Sequence, residues 1–86
     1  MKTVHAFVSG HVQGVSFRWH VRKWAHQLGI AGWVRNLEDG RVELQAQGER
    51  LEEFLQHVRR GPEGSRVTSV REDWPDGPPL GTFEIR

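Results

Sequence analysis

A glycine-bearing segment, residues 10–18, carries the residue types best suited to chemistry. Backbone N–H groups in the first turn of a helix lack partners within the helix, and Gly10 and Gly14 let the chain curl so that several of them point at one spot. Such an arrangement binds anions. Arg18 adds a guanidinium that can form a bidentate contact with phosphate oxygens. The segment therefore predicts a phosphate site, but its glycine spacing fits neither the dinucleotide fingerprint nor the P-loop, so on spacing alone a plain turn is an equal alternative.

Hydrophobic periodicity predicts a strand before this segment and a helix after it. Residues 3–9 alternate in the manner of a strand, with apolar side chains at every second position. From position 17 the apolar residues form one stripe of an amphipathic helix: Phe17, Val21, Trp24, Ala25 and Leu28. Ser16 is the candidate N-cap of this helix and Gly29 its C′ residue. The segment 10–18 accordingly joins the end of a strand to the start of a helix.

The middle of the chain predicts a hairpin and a second helix. Residues 32–37 and 41–47 flank an Asp-Gly turn signal, which favours two adjacent antiparallel strands. A helix follows Gly48, with acidic residues in its first turn and arginines in its last, and it stops at Gly61. Its apolar stripe consists of Leu51, Phe54, Leu55 and Val58.

The last part of the chain completes the fold class. Residues 65–74 predict a strand with a bulge or twist, because Val67 and Val70 are three positions apart. Phe83 and Ile85 mark a short final strand. The order predicts an α+β fold of the ferredoxin-like split βαβ type (βαββαβ), with two helices on one face of an antiparallel sheet and a short extra C-terminal strand.

Composition limits the possible classes of protein. The 86 residues predict a single domain, residues 1–86, and the lack of cysteine excludes disulfides, iron–sulfur clusters and thiol nucleophiles. No apolar run is long enough for a membrane span or a signal peptide, so we expect a cytoplasmic protein with no membrane partner. Residues 1–37 contain five Lys or Arg and no Asp or Glu, whereas residues 38–86 contain seven Arg and all eleven acids. This asymmetry predicts an anionic ligand.

Two stretches resemble the signatures of the acylphosphatase family. Residues 8–18 fit the first, which reads aliphatic, any, Gly, any, Val, Gln, Gly, Val, any, Phe or Met, Arg. The second signature is met by Gly32, Trp33, Val34, Arg35, Asn36, Gly40, Val42 and Gly48. The resemblance covers the whole chain and includes every functional position of the family.

The resemblance implies an enzyme that hydrolyses acyl phosphates to a carboxylate and inorganic phosphate, without a metal or another cofactor. The phosphate-binding groups it implies are the Arg18 side chain and the backbone amides of Gln13, Gly14, Val15, Ser16, Phe17 and Arg18. It implies that the Asn36 side chain orients the attacking water. Neither an amide nor a guanidinium acts as a general base, so we expect the proton of the water to pass to a phosphate oxygen of the substrate. We expect a monomer whose partner is the small-molecule substrate, and no nucleic acid.

Two other interpretations share parts of this pattern. A ferredoxin-like RNA-binding module without catalysis fits the fold and the cationic front of the chain, but residues 41–47, the predicted third strand, carry no aromatic side chain for stacking bases. Acylphosphatase-like domains also begin large carbamoyl-transferring maturation proteins, in which the substrate is carbamoyl phosphate.

The histidines, Trp19 and Trp33 carry no predicted chemical role. The five histidines lack ligand spacing, so no metal site is predicted, and we expect His11 in an exposed loop and His20 and His26 on a solvated helix surface. Trp19 is expected to be exposed, and Trp33 to pack so that it holds Asn36 in place.

Three further cations of residues 1–37 are predicted to lie on the protein surface. We expect Arg22, Lys23 and Arg35 to form a solvated cationic face that steers anionic substrates toward the site.

Overall fold

A computed structural model describes residues 2–14 and 16–86. The elements, in chain order, are β1 (Thr3–His11), α1 (Phe17–Leu28), β2 (Ala31–Asn36), β3 (Val42–Gln47), α2 (Leu51–Arg60), β4 (Arg66–Asp73) and β5 (Glu84–Ile85). They form one five-stranded sheet in the order β4-β1-β3-β2-β5. The first four strands pair antiparallel, and β5 pairs parallel with β2, so the sheet is mixed. The predicted ferredoxin-like α+β fold is confirmed.

Both helices cover one face of the sheet, because that face and the two predicted helical stripes are apolar. Phe17, Val21 and Ala25 of α1 are buried, and Trp24 and Leu28 pack partly buried against the same core. All four members of the α2 stripe are buried as well. Burial of such side chains contributes about 1.5–3 kcal/mol each, and this core fixes the end of β1 against the start of α1.

β1 runs two residues further than predicted. Gly10 and His11 pair with Val67 and Arg66 of β4, and the pairing shifts register after Ser9, which confirms the irregularity predicted in β4. Gly10 has φ +126°, and a Cβ at this position would overlap the carbonyl oxygen of Arg66. Only glycine permits so close an approach of the two backbones. β1 therefore ends at His11, and the loop toward α1 begins after this residue.

Neither α1 nor α2 covers the opposite face of the sheet, called the open face below, and this face carries a buried carboxylate. Glu43 of β3 is buried, and its two oxygens lie 2.7 Å from Nε2 of His5 and 2.6 Å from Nε of Arg35. Burial alone raises the pKa of a carboxyl, but these hydrogen bonds outweigh it and hold the pKa of Glu43 below its ordinary value. The arrangement couples β1, β2 and β3 through one charge.

This carboxylate predicts acid sensitivity of the fold. A carboxyl whose pKa is lower in the folded than in the unfolded chain stabilises the fold fully above its unfolded pKa, about 4.3 for glutamate, and the stabilisation is lost as the pH falls through the folded pKa. We therefore expect the wild-type free energy of unfolding to fall more steeply below about pH 4.3 than that of Glu43→Gln. Urea denaturation at several pH values measures this slope. Glu49→Gln, which alters an exposed glutamate, is the control and should keep the wild-type slope; a wild-type slope in Glu43→Gln contradicts the prediction.

Candidate active site

A cavity of about 180 Å³ opens where the loop after β1 enters α1 and where β2 ends. Its lining consists of Val12, Gln13, Gly14, Ser16, Phe17, Arg18, Trp19, Asn36 and Ile85. The two side chains predicted to do chemistry, Arg18 and Asn36, therefore line the same cavity although they belong to different elements. A larger depression of about 430 Å³ lies between α1 and the segment before β5, but no Arg or Lys is among its described lining residues. Cavity size therefore does not select the site, and the meeting of Arg18 and Asn36 at the smaller cavity makes it the candidate.

The loop before α1 adopts a backbone conformation suited to anion binding. Gly14 has φ +76° and Ser16 has φ +57°, ψ +27°, so both are left-handed. Ser16 is the one non-glycine residue with positive φ in the described part of the chain, and this conformation costs roughly 1–2 kcal/mol. Strain of this kind concentrates at functional sites. Val15, between them, lies outside the described residues, so its predicted amide contact is not placed.

Ser16 occupies the N-cap position of α1, but it does not cap the helix as predicted. Its side chain forms no capping hydrogen bond, because the left-handed backbone differs from the β conformation that a serine cap requires. The first turn of α1 also contains no acidic residue. Neither a Ser16 cap nor a first-turn carboxylate therefore competes with an anion for the N–H groups of the first turn of α1.

His20 holds the peptide group that begins α1. The Ser16 carbonyl oxygen accepts a hydrogen bond from the backbone N–H of His20 at 3.1 Å and lies 2.8 Å from ring Nδ1, which donates as Nδ1–H. The carbonyl and the following N–H of a trans peptide point in opposite directions, so this fixes the Phe17 N–H outward from the start of α1. The sequence predicts only that His20 lies on the helix surface, and its spacing i, i+4 from Ser16 permits the contact without identifying it.

Gln13 fastens the loop to the hairpin between β2 and β3. Its side-chain Nε2 donates to the carbonyl oxygens of Leu37 at 2.8 Å and Arg41 at 2.9 Å. Leu37 directly follows Asn36, so one side chain connects the loop to the strand end that carries the second site residue. The resemblance implies only a backbone role for Gln13. The signal for a side-chain role is that the first signature specifies a glutamine at this position, whereas it leaves position 11 unspecified.

Loss of the Gln13 amide should loosen this connection. We expect Gln13→Ala to lower the free energy of unfolding by about 1–3 kcal/mol, because two hydrogen bonds of about 0.5–1.5 kcal/mol each are lost. The two carbonyl oxygens each keep one backbone donor, the N–H of Gly40 for Leu37 and the N–H of Leu37 for Arg41. Urea denaturation measures the change. Gln45→Ala, which removes a single 3.2 Å contact with Trp33 on the open face of the sheet, is the matched control and should destabilise less. Equal destabilisation by the two variants contradicts the proposed connection.

Arg18 and Asn36 both have polar groups that no described residue pairs. Arg18 is half-buried in the first turn of α1, and no Asp or Glu among the described residues forms an ion pair with it. Asn36 is the exposed last residue of β2, and its side chain hydrogen-bonds to no described residue. Alternation along β2 places Asn36 on the same face as buried Val34, toward the helices. The described lining contains one cation, one amide at the end of β2 and no carboxylate.

Two predictions about β2 are wrong for the same reason, the alternation of its side chains. Trp33 lies on the open face of the sheet, where its Nε1 donates to Gln45, so it does not hold Asn36. Arg35 lies on that face too, paired with Glu43, and is not part of a cationic face with Arg22 and Lys23 of α1. The predicted exposure of His11, His26 and Trp19 is confirmed, with His11 at the end of β1 and not in a loop.

Two further observations concern the described residues 2–14 and 16–86. No three of their His, Asp and Glu side chains are grouped as metal ligands are. None of their helices is both long enough and apolar enough to cross a membrane.

The topology defines a ferredoxin-like protein, in which a small cavity lined by one arginine lies between a loop, a helix start and a strand end. Residues 4–85 match the model of the acylphosphatase family. An acylphosphatase from Anaeromyxobacter sp. (strain Fw109-5) is 48% identical over 85 residues, which cover 95% of this chain and 91% of that protein. An acylphosphatase from Thermus thermophilus is 42% identical over 87 residues, 99% of each chain.

Solved structures give the same result. The crystal structure of acylphosphatase from Bacillus subtilis is similar to this chain with a TM-score of 0.95 and 36% identity, over 100% of this chain and 99% of that one. The chain therefore belongs to the acylphosphatase family and is an enzyme of that class, EC 3.6.1.7. This activity implies an acyl phosphate substrate.

Proposed function

We propose that this acylphosphatase binds the phosphate of its substrate at Arg18 and the loop amides, and that a water positioned by Asn36 attacks the phosphorus in line. The observation that carries the proposal is the common cavity of about 180 Å³, which brings Arg18, the loop before α1 and Asn36 together. A cavity of this size suits a phosphoryl group better than a whole large substrate. In this proposal Arg18 and the loop share the binding of the phosphate, and Asn36 positions the water.

Phosphate binding combines one full charge with several partial ones. The guanidinium of Arg18 offers a planar pair of donors to two phosphate oxygens. The N–H groups at Gln13, Gly14, Ser16, Phe17 and Arg18 add the partial positive charge of a helix start, and the amide of Val15 completes the proposed set. The described lining has no carboxylate to repel a dianion.

Water activation proceeds without a protein base. The side-chain oxygen of Asn36 accepts a hydrogen bond from the water and holds it in line with the bond that breaks, but an amide does not remove a proton at neutral pH. The described lining residues include no His, Asp, Glu or Lys. The water oxygen forms the new bond to phosphorus while the bond from phosphorus to the acyl oxygen breaks. One water proton passes to a phosphate oxygen, so the products are a carboxylate and dihydrogen phosphate.

Rate acceleration then comes from position and charge. A carboxylate is a good leaving group and needs little acid assistance, so the barrier is lowered by holding the reactants in line and by stabilising charge on the equatorial phosphate oxygens. Arg18 and the loop amides are preorganised donors for that charge.

Hydrolysis of benzoyl phosphate in the presence of a chelator tests this proposal. We expect turnover by the wild-type chain to be unaffected by the chelator, and turnover by Arg18→Ala to be at least several hundredfold lower. Loss of wild-type turnover on chelation, or unchanged turnover in Arg18→Ala, contradicts the mechanism. An RNA-binding module gives no turnover under any of these conditions.

The open face of the sheet weighs against the RNA-binding alternative. Phe7 and Trp33 lie there, on β1 and β2, but guanidiniums cover their rings: Arg41 lies 4.8 Å from the centroid of Phe7, and Arg86 lies 5.1 Å from that of Trp33. Arg41 is paired with Asp39 and Arg86 with Glu84, each at 2.8 Å. A nucleic acid needs accessible rings for base stacking and unpaired cations for its phosphates. On this face the two rings are covered by guanidiniums, and the two arginines are paired with carboxylates.

A further inference from the structure

The cavity has an accessible apolar wall that phosphate binding does not use. Four apolar side chains belong to the lining, and Val12 and Phe17 are only 1% and 2% exposed, so they form its inner surface. Ile85 of β5 is half-buried, and Trp19 of α1 is 47% exposed. The accessible apolar surface at this cavity therefore comes from Trp19 and Ile85.

The Trp19 ring is held in place by its neighbours on α1. The ring of His20 meets it edge to face, with centroids 5.0 Å apart and an interplanar angle of 84°. Nζ of Lys23 lies 5.4 Å from the centroid of the Trp19 ring. His20 also binds the Ser16 carbonyl oxygen. The same histidine therefore contacts both the Trp19 ring and the loop before α1. A large aromatic surface is thus fixed beside Arg18 without being buried in the core.

Exposure alone does not distinguish Trp19, since single exposed aromatics are common. Trp74 is 46% exposed and also has a lysine, Lys2, with its Nζ 5.4 Å from the ring centroid. Trp74, however, does not belong to the described lining of the cavity, whereas Trp19 does. The difference between two otherwise similar tryptophans is the position of Trp19 at the candidate active site.

We infer that Trp19 and Ile85 form the subsite for the acyl group and that the enzyme prefers aromatic acyl phosphates to short aliphatic ones. The inference rests on the proposed function, which holds the phosphate at Arg18. With the phosphate bound there, a cavity of about 180 Å³ leaves little room for a large acyl group, which must extend to the accessible surface. The in-line geometry directs the leaving acyl oxygen away from the water at Asn36. A ring on the acyl group then packs on the indole of Trp19.

Substrate preference in tryptophan variants tests the subsite. The quantity measured is the ratio of kcat/KM for benzoyl phosphate to kcat/KM for acetyl phosphate. We expect Trp19→Ala to lower this ratio about tenfold, because only the aromatic substrate loses its stacking partner. Trp19→Phe should retain most of the preference, and Trp74→Ala should keep the wild-type ratio. Competitive inhibition by inorganic phosphate should be unchanged in all three variants.

The outcomes separate the subsite from the mechanism beneath it. A wild-type ratio in Trp19→Ala, or an equal fall for both substrates, overturns the acyl subsite and leaves the proposed function standing. Weakened phosphate inhibition in Trp19→Ala with an unchanged ratio also overturns it, because Trp19 then shapes the phosphate site. If the wild-type chain hydrolyses neither substrate, the proposed function and the subsite fail together.

Discussion

Arg18→Ala is expected to lower kcat/KM for benzoyl phosphate by at least several hundredfold. Removal of one preorganised donor to the transition state costs about 3–4 kcal/mol, and here a full positive charge is lost as well. Each 1.36 kcal/mol corresponds to about a factor of ten in rate. Steady-state kinetics with wild type and variant measure the effect directly, together with the inhibition constant of inorganic phosphate, which should rise in parallel.

Controls for this result come from the same helix. Arg22→Ala removes a cation from α1 that does not belong to the described lining of the cavity, so it should change kcat/KM only slightly and mainly at low ionic strength. Arg18→Lys keeps the charge but loses the planar pair of donors, and we expect intermediate activity. Near-native turnover in Arg18→Ala would falsify the assignment of the phosphate site to this cavity.

The Asn36→Ala variant should show a different pattern of losses. We expect kcat to fall about a hundredfold, since a nucleophile that is no longer held in line reacts much more slowly. Phosphate inhibition should persist at the wild-type constant, because Arg18 and the loop are intact. The comparison of kcat with the phosphate inhibition constant separates water positioning from phosphate binding.

A charged replacement gives this second prediction its control. Asn36→Asp keeps the size of the side chain and an acceptor oxygen but adds a negative charge beside the phosphate, so we expect weaker phosphate inhibition in addition to slower turnover. Weakened phosphate inhibition in Asn36→Ala with turnover intact contradicts the water-positioning role.

The local hydrophobic pattern of the sequence predicts which helices and strands form, but it does not predict where each of them ends. The helical stripes beginning at Phe17 and Leu51 predicted α1 and α2 correctly, because the buried face of a helix repeats with a fixed period. The extension of β1 to His11 depends on pairing with Arg66, a residue far away along the chain, which no local pattern encodes. The parallel direction of β5 likewise depends on where the chain returns to β2.

The residues of the candidate site were likewise predictable only in part. The two signatures identified Arg18 and Asn36, and the structure places both at one cavity. The side-chain roles of Gln13 and His20 were not predicted, because each depends on which carbonyl oxygen the folded chain brings within reach. Ser16 is predicted to be an ordinary cap because serine favours that position, but its backbone in the folded chain is left-handed.

The faces on which Trp33, Arg35 and Asn36 lie follow from strand alternation alone. Side chains three positions apart on a strand lie on opposite faces, so the prediction of a strand over residues 32–37 already argues against packing of Trp33 on Asn36. The same alternation places Arg35 away from the helices, and Glu43 of β3, directly opposite Arg35 in the register, supplies its partner. Applying the period of two to the hairpin predicts this face correctly.

Isotope labelling tests the central claim, which is that water attacks the phosphorus of a phosphate held between Arg18 and Asn36. Benzoyl phosphate is hydrolysed by the wild-type enzyme in ¹⁸O-labelled water, and both products are analysed by mass spectrometry. Attack at phosphorus places one ¹⁸O in the inorganic phosphate and none in the benzoate. Label found in the benzoate shows attack at the carbonyl carbon, which contradicts the mechanism and the assignment of Asn36 as the residue that positions the water.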